Sequence, residues 1–174
     1  MKLYLVRHGE VPHNVLRIFA ESDDDLTELG INQAEELREK IKDIEYDLII
    51  CSPLLRTTHT ANIINVNNSK IVYDNRLEER KCGNLSGKSF NKEERKEYWN
   101  YNSNNMYGTE EEIKKFFERV YDFIDDLKNE DYKNVLIVSH SGVTKAFSGY
   151  FEGINDGYFL KRGLKNCEIK EYVL

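Results

Sequence analysis

Arg7 and His8 stand side by side directly after an apolar run, in Leu5-Val6-Arg7-His8-Gly9-Glu10. Arginine offers a planar fork of donors that fits phosphate oxygens two at a time. A neutral imidazole beside it can attack phosphorus, and a nearby cation favours that neutral form. Gly9 lets the backbone turn sharply and approach a ligand closely. Alone, such a pair is an ordinary strand end with a solvated arginine and a hydrogen-bonded histidine. The pattern recurs, however. Arg56 follows Ser52-Pro53 after the apolar 48–50, and Ser139-His140-Ser141-Gly142 follows the apolar 135–138. Two arginines and two histidines brought to one point make a cationic pocket for a phosphoryl group.

Convergence requires parallel strands. Residues 3–6, 46–50, 71–73 and 135–138 read as short buried strands, and 158–160 and 168–174 as the last ones. Between them Leu26, Leu29, Ala34, Leu37, Ile41 and Ile44 make one face of a helix, with Thr27 as its N-cap and Gly30 weakening it slightly. Ser52 as N-cap and Pro53 as first helical residue predict a helix over 53–64. Thr109 and Glu112 form a capping box, and Ile113, Phe116, Phe117, Val120, Phe123, Ile124 and Leu127 line a long helix. Residues 11–25 read as a loop with room for a short helix, 74–87 as a loop, and 89–106 as a polar, aromatic helical excursion. A last helix runs over 141–150. Strands alternating with helices predict an α/β fold, a doubly wound three-layer sandwich with a mainly parallel sheet. The carboxyl ends of such strands share one edge, where ligands bind. Two of the turns also open helices, whose first N–H groups favour anions.

The 174 residues fit one domain, 1–174, with a helical excursion over about 89–128. A composition of 40% hydrophobic and 32% charged residues is that of a globular protein, and the net charge of −6 gives no support to a nucleic-acid partner. No run is apolar or long enough for a membrane span, and the N-terminus is a strand and not a signal peptide. Cys51, Cys82 and Cys167 are spaced neither as a disulfide framework nor as metal ligands, which points to a reducing cytoplasm. No heptad seam is visible, so a monomer or dimer is expected.

The ordered motifs resemble the histidine phosphatase superfamily, the phosphoglycerate mutase-like proteins. Leu5 to Glu10 with Asn14 is similar to its opening motif, and Leu26-Thr27 with Gly30, Gln33 and Ala34 to its next helix. Ser52-Pro53-Leu54, Arg56-Thr57 and Thr60-Ala61 resemble its second arginine motif. Leu77, Glu79 and Gly83 resemble its acid loop, Val138-Ser139-His140 with Gly142 its second histidine motif, and Asn166 with Ile169 its final strand. Val11, Leu85, Ser86 and Ser141 depart from the family pattern without removing a residue that does the chemistry.

The resemblance implies a phosphatase that hydrolyses small phosphomonoesters through a phosphohistidine, with no metal or other cofactor. His8 would be the nucleophile. Arg7, Arg56 and His140 would hold the phosphoryl oxygens, with Asn14 and Ser141 as further phosphate contacts. Glu79, otherwise an ordinary loop charge, would protonate the leaving oxygen and then activate water. The alternatives are a phosphoglycerate mutase, whose family members are usually longer, and a non-catalytic phospho-ligand-binding protein, which would be expected to lack some of these residues. α-Ribazole phosphate and sugar phosphates are candidate substrates. Tyr98, Trp99, Tyr101 and Tyr107 could stack on a base or sugar or else pack the excursion down. A small acid would want further cations, of which Lys81, Lys88 and Arg95 lie nearby in sequence. Cys82, close after Glu79, is either a thiol activated by a cationic pocket or a small buried hydrophobe.

Overall fold

The computed structural model describes residues 1–19 and 23–174. Its centre is a five-stranded sheet of β1 (Lys2–Arg7), β2 (Leu48–Cys51), β3 (Ile71–Tyr73), β4 (Asn134–Ser139) and β5 (Ile169–Val173), in the order β3-β2-β4-β1-β5. The first four strands are parallel to their neighbours, and β5 closes the edge antiparallel to β1. The helices are α1 (Pro12–Leu16), α2 (Glu28–Ile41), α3 (Leu55–Ile64), α4 (Lys92–Tyr98), α5 (Ile113–Leu127) and α6 (Ser141–Glu152).

Alternation along the strands makes three layers. Leu3, Leu5, Leu48, Ile50, Val135 and Ile137 share one core with Phe116, Phe117 and Phe123 of α5 and Phe147 of α6. Val6, Ile49, Cys51, Leu136 and Val138 share the other with Ala34, Leu37 and Ile41 of α2 and Ala61 and Ile64 of α3. Every apolar position predicted along α5 is buried. Full burial of a side chain such as Leu5 or Phe116 stabilises the fold by about 1.5–3 kcal/mol. Within 89–128, α5 therefore belongs to a layer of the sandwich, while α4 and the turns after it stand outside.

Register decides where the site forms. Val6 pairs with Val138 and Arg7 with Ser139, while Cys51 pairs with Val138 from the other side. The three strands end level, so residues 8, 52 and 140 emerge together at the carboxyl edge. Thr27 caps α2 as expected, its Oγ1 accepting from Gly30 N–H at 3.0 Å. Gly30 has a packing reason to be there. A Cβ on it would lie 2.2 Å from the Glu10 carbonyl oxygen, and one on Gly9 would lie 2.4 Å from that of Gly30.

Four expectations are corrected. The helix after Ser52-Pro53 begins at Leu55 and has no side-chain cap, because the Ser52 hydroxyl is engaged with His140. Thr109 and Glu112 do not form a capping box. Glu112 is the uncapped N-cap of α5, and the Thr109 hydroxyl accepts from Asn84 N–H at 3.1 Å. Residues 158–160 are not a strand of the sheet. They bridge to 99–101 through Asn100 and Tyr158, and this tie anchors the excursion. The stretch 74–87 includes short 3₁₀ turns at Asn75–Leu77 and Gly83–Leu85. The loop expected over 11–25 contains α1, and its residues 20–22 lie outside the described residues. Among the described residues no helix is long and apolar enough to cross a membrane.

Candidate active site

His8 is pinned from both sides. Its N–H donates to the Ser139 carbonyl at 2.9 Å, and its carbonyl accepts from Asn166 Nδ2 at 3.0 Å. Its ring Nδ1 lies 2.6 Å from the Gly9 carbonyl oxygen, which can only accept. The proton therefore sits on Nδ1, and Nε2 carries the lone pair. Burial, and then the charges of Arg56 and Arg7, hold the imidazole well below its ordinary range. His8 is thus a neutral imidazole with a set tautomer, its Nε2 lone pair uncommitted.

His140 lies beside it, ring centroids 5.2 Å apart, and is fully buried. Arg56 Nε donates to His140 Nδ1 at 3.3 Å, so His140 Nε2 carries the proton and donates to Ser52 Oγ at 2.8 Å. Burial first, then Arg56, His8 and Arg7, keep this ring neutral too. The two histidines should therefore show opposite tautomers and stay neutral at the pH where a free histidine is half protonated, about 6.5. Nitrogen-detected NMR of the ring resonances, assigned with His8→Ala, checks this. A charged His8 at that pH would remove the nucleophile from the account.

The guanidinium groups come from different strand ends. Arg7 donates from Nη1 to the Leu164 carbonyl at 3.0 Å, and its buried Nε has no hydrogen-bond partner among the described residues. An unmade bond on a buried donor costs about 1–3 kcal/mol, which an incoming oxyanion would relieve. Arg56 is only 2% exposed. Asn14 is oriented by the Oδ1 that accepts from Val11 N–H and Asn166 Nδ2, which leaves its Nδ2 as the donor end.

Glu79 reaches the same place from the loop after β3. Its Oε1 accepts from Arg80 N–H at 2.9 Å and its Oε2 from Gly142 N–H at 3.1 Å, in the first turn of α6. That close approach requires a glycine, because a Cβ at Gly142 would lie 1.9 Å from Glu79 Oε1 and 2.7 Å from the Trp99 ring. Gly142→Ala is expected to lower kcat about a hundredfold by pushing Glu79 aside, with an intact fold by circular dichroism. Turnover near wild type would show that Glu79 needs no such seat.

One cavity of about 290 Å³ takes in Arg7, His8, Asn14, Arg56, Glu79 and Ser141, while His140 lies buried behind its wall against Arg56 and Ser52. Among the described residues no group of three or more His, Cys, Asp or Glu could hold a metal ion. The family model of the histidine phosphatase superfamily (branch 1) matches residues 3–174. The chain belongs to the histidine phosphatase superfamily. It is 36% identical over 161 residues to a candidate phosphoserine phosphatase 2 of Hydrogenobacter thermophilus, covering 88% of this chain and 79% of the relative. It is 29% identical to the adenosylcobalamin/alpha-ribazole phosphatase of Escherichia coli, covering 82% and 75%. The crystal structure of a phosphoserine phosphatase from Entamoeba histolytica with 3-phosphoglyceric acid superposes with a TM-score of 0.83 at 26% identity, covering 99% and 90%. The protein is accordingly a phosphoric monoester hydrolase of the histidine phosphatase type, with the phosphoglycerate mutase-like fold.

In this histidine phosphatase, several supporting residues carried no clear signal in the sequence. Arg119 of α5 donates to the carbonyls of Arg76 (2.6 Å), Glu78 (3.0 Å) and Glu79 (3.2 Å) while pairing with Glu111 (2.7 Å), so it braces the loop that bears Glu79. Ser139 Oγ donates to the Leu77 carbonyl at 2.7 Å and ties that loop to β4. Thr60 Oγ1 accepts from Gly9 N–H at 3.1 Å. Of the four excursion aromatics, Tyr98 and Trp99 line the cavity, whereas Tyr101 packs on Phe117 and Tyr107 on Phe90. Of the three nearby cations, Arg95 lines the cavity, and Lys81 and Lys88 are exposed outside it. Cys82 sits half-buried in an adjoining hollow that shares Arg56 and Glu79, and burial pushes its thiol up. That favours the packing role over the activated thiol.

Proposed function

We propose that the enzyme hydrolyses small-molecule phosphomonoesters in two in-line steps through a phosphohistidine on His8. The observation that carries this reading is the tautomer of His8, whose Nδ1–H is committed to the Gly9 carbonyl and whose Nε2 is left as a nucleophile beside two guanidinium groups. In the first step His8 Nε2 displaces the alkoxide, and Glu79 supplies the proton that the alkoxide takes. In the second, Glu79 takes a proton from water, which displaces His8 and releases phosphate. Both Glu79 oxygens already accept one backbone N–H each, so the transferable proton occupies a remaining lone pair facing the cavity.

Arg7 and Arg56 spread the charge of the transferring group. His140 acts on Arg56, whose Nε it orients through Nδ1. With both ring nitrogens committed, His140 serves the phosphoryl group through the Arg56 guanidinium that it holds in place. Ser52 holds the opposite nitrogen throughout. Asn14 and Ser141 add neutral donors. The arginines supply the positive charge that a metal would otherwise bring, so we assign a metal-independent reaction. A cavity of about 290 Å³ suits a compact ester, at the small end of ligand sites. Phosphoserine, α-ribazole phosphate and sugar phosphates are the candidates that the relatives and the pocket support. The unbridged thiols of Cys51 and Cys167 suit a reducing compartment, and we place the enzyme in the cytoplasm as a monomer or dimer.

The test is phosphate release from p-nitrophenyl phosphate, sugar phosphates, phosphoserine, α-ribazole phosphate and 3-phosphoglycerate in the presence of chelator. Release that persists under chelation supports the reading. Isomerisation of 3-phosphoglycerate without phosphate release would make the protein a mutase instead.

A further inference from the structure

Lys145, like Arg80 and Arg95, is a cation of the cavity wall outside the set assigned to the phosphoryl group. It lies on α6, one turn beyond Ser141, and is 5% exposed. Its Nζ bonds to Ser141 Oγ at 2.7 Å and to the Ser141 carbonyl at 3.4 Å, and lies 4.7 Å from the Trp99 ring centre. Gly163 closes over it, since a Cβ there would come within 2.6 Å of Nζ. All these partners are neutral. Among the described residues no carboxylate lies within ion-pair distance, although buried lysines are almost always paired. Arg80, equally buried, also has only neutral partners, but its donors are committed to the carbonyls of Glu111 and Tyr98 and its face to the Tyr98 ring at 3.9 Å. Arg95 is half-buried and bonded to the Phe90 carbonyl. Lys145 thus brings an unneutralised cation to the wall of the cavity that holds His8 and Glu79.

We infer that Lys145 recognises a carboxylate carried by the substrate beside its phosphoester, so that the enzyme prefers phosphorylated small acids. This rests on the reading of the cavity as a phosphomonoesterase site and names the substrate class for it. The phosphoryl oxygens have Arg7, Arg56 and the histidines around them. Lys145 instead belongs to the Ser141–Trp99–Gly163 wall, where a second anion would meet it. Burial pushes its ammonium down to about 8, partly offset by Glu79 and deepened by Arg7. The turn at Trp99 and the segment at Gly163 face it without charge. The ammonium is therefore a cation at neutral pH and loses its proton as the pH rises through that value.

Matched esters test the inference. 3-Phosphoglycerate and glycerol 3-phosphate differ only in a carboxylate against a hydroxymethyl group, and phosphoserine and phosphoethanolamine only in a carboxylate. The native enzyme is expected to favour the acid of each pair in kcat/KM by about tenfold or more, chiefly through KM. Lys145→Met, which keeps the volume and removes the charge, is expected to collapse that ratio. In the native enzyme the preference for 3-phosphoglycerate should also fade between about pH 7 and pH 10, a readout that needs no variant to fold. No preference within either pair, a preference that survives Lys145→Met, or one that does not change with pH would each overturn the inference. Equal hydrolysis of both members refutes only the carboxylate reader. Failure to hydrolyse any ester refutes the phosphatase reading beneath it.

Discussion

His8→Ala is expected to lower phosphate release from every ester by about 10⁵-fold or more. The size of the effect follows from how completely the site is organised around one nitrogen. His8 Nε2 is the lone pair left once Nδ1 has donated to the Gly9 carbonyl. The neighbouring imidazole cannot stand in, because His140 spends Nδ1 on Arg56 and Nε2 on Ser52. The ring is buried and kept neutral, the state that nucleophilic attack on phosphorus needs. The variant should fold, since the backbone bond from residue 8 to Ser139 does not involve the side chain. Steady-state release of phosphate from p-nitrophenyl phosphate, with circular dichroism as the folding control, measures it. Wild-type rates would place the nucleophile elsewhere.

Glu79→Gln separates proton transfer from positioning. Glutamine is nearly isosteric and keeps one oxygen for a backbone N–H, but it cannot deliver a proton. An alkoxide leaving group depends on that proton, so hydrolysis of glycerol 3-phosphate is expected to fall about 10³-fold. p-Nitrophenolate leaves without protonation, and its ester should lose only about tenfold, in the step where water attacks. A series of aryl and alkyl phosphates would show the variant far more sensitive to leaving-group basicity than the native enzyme. Equal loss across the series would mean that Glu79 serves only to seat the N-terminus of α6 against the loop after β3.

Arg7, His8, Arg56 and His140 were legible because each follows an apolar run that reads as a buried strand, whereas Glu79, in a polar loop, was legible only through the family resemblance. The parallel register then delivers Arg7-His8, Ser52 and His140 to one edge, and the burial of Val6, Ile50 and Val138 shows why no other edge was available. The role of Ser52 was hidden, since serine before proline is an equally good helix cap by local rules, and only the tertiary partner His140 decides. Arg119 lies on a helix whose apolar face was plain. Its work is done on carbonyls some forty residues earlier, a contact that no local pattern announces. Lys145 was masked in the same way, as one polar residue in a helix that the fold buries almost throughout. Residues 158–160 had strand composition but meet 99–101 instead of the sheet, because β5 already occupies the edge beside β1.

The central claim is the covalent intermediate on His8, and the stereochemical course at phosphorus tests it most directly. A phosphomonoester made chiral with oxygen isotopes would be turned over with transfer of the phosphoryl group to an acceptor alcohol, and the configuration of the product read by phosphorus NMR. Each in-line displacement inverts phosphorus. Two displacements through His8 give overall retention, the predicted result. Inversion would show that the acceptor attacks the ester directly, and would reduce His8 from nucleophile to a phosphate-binding group.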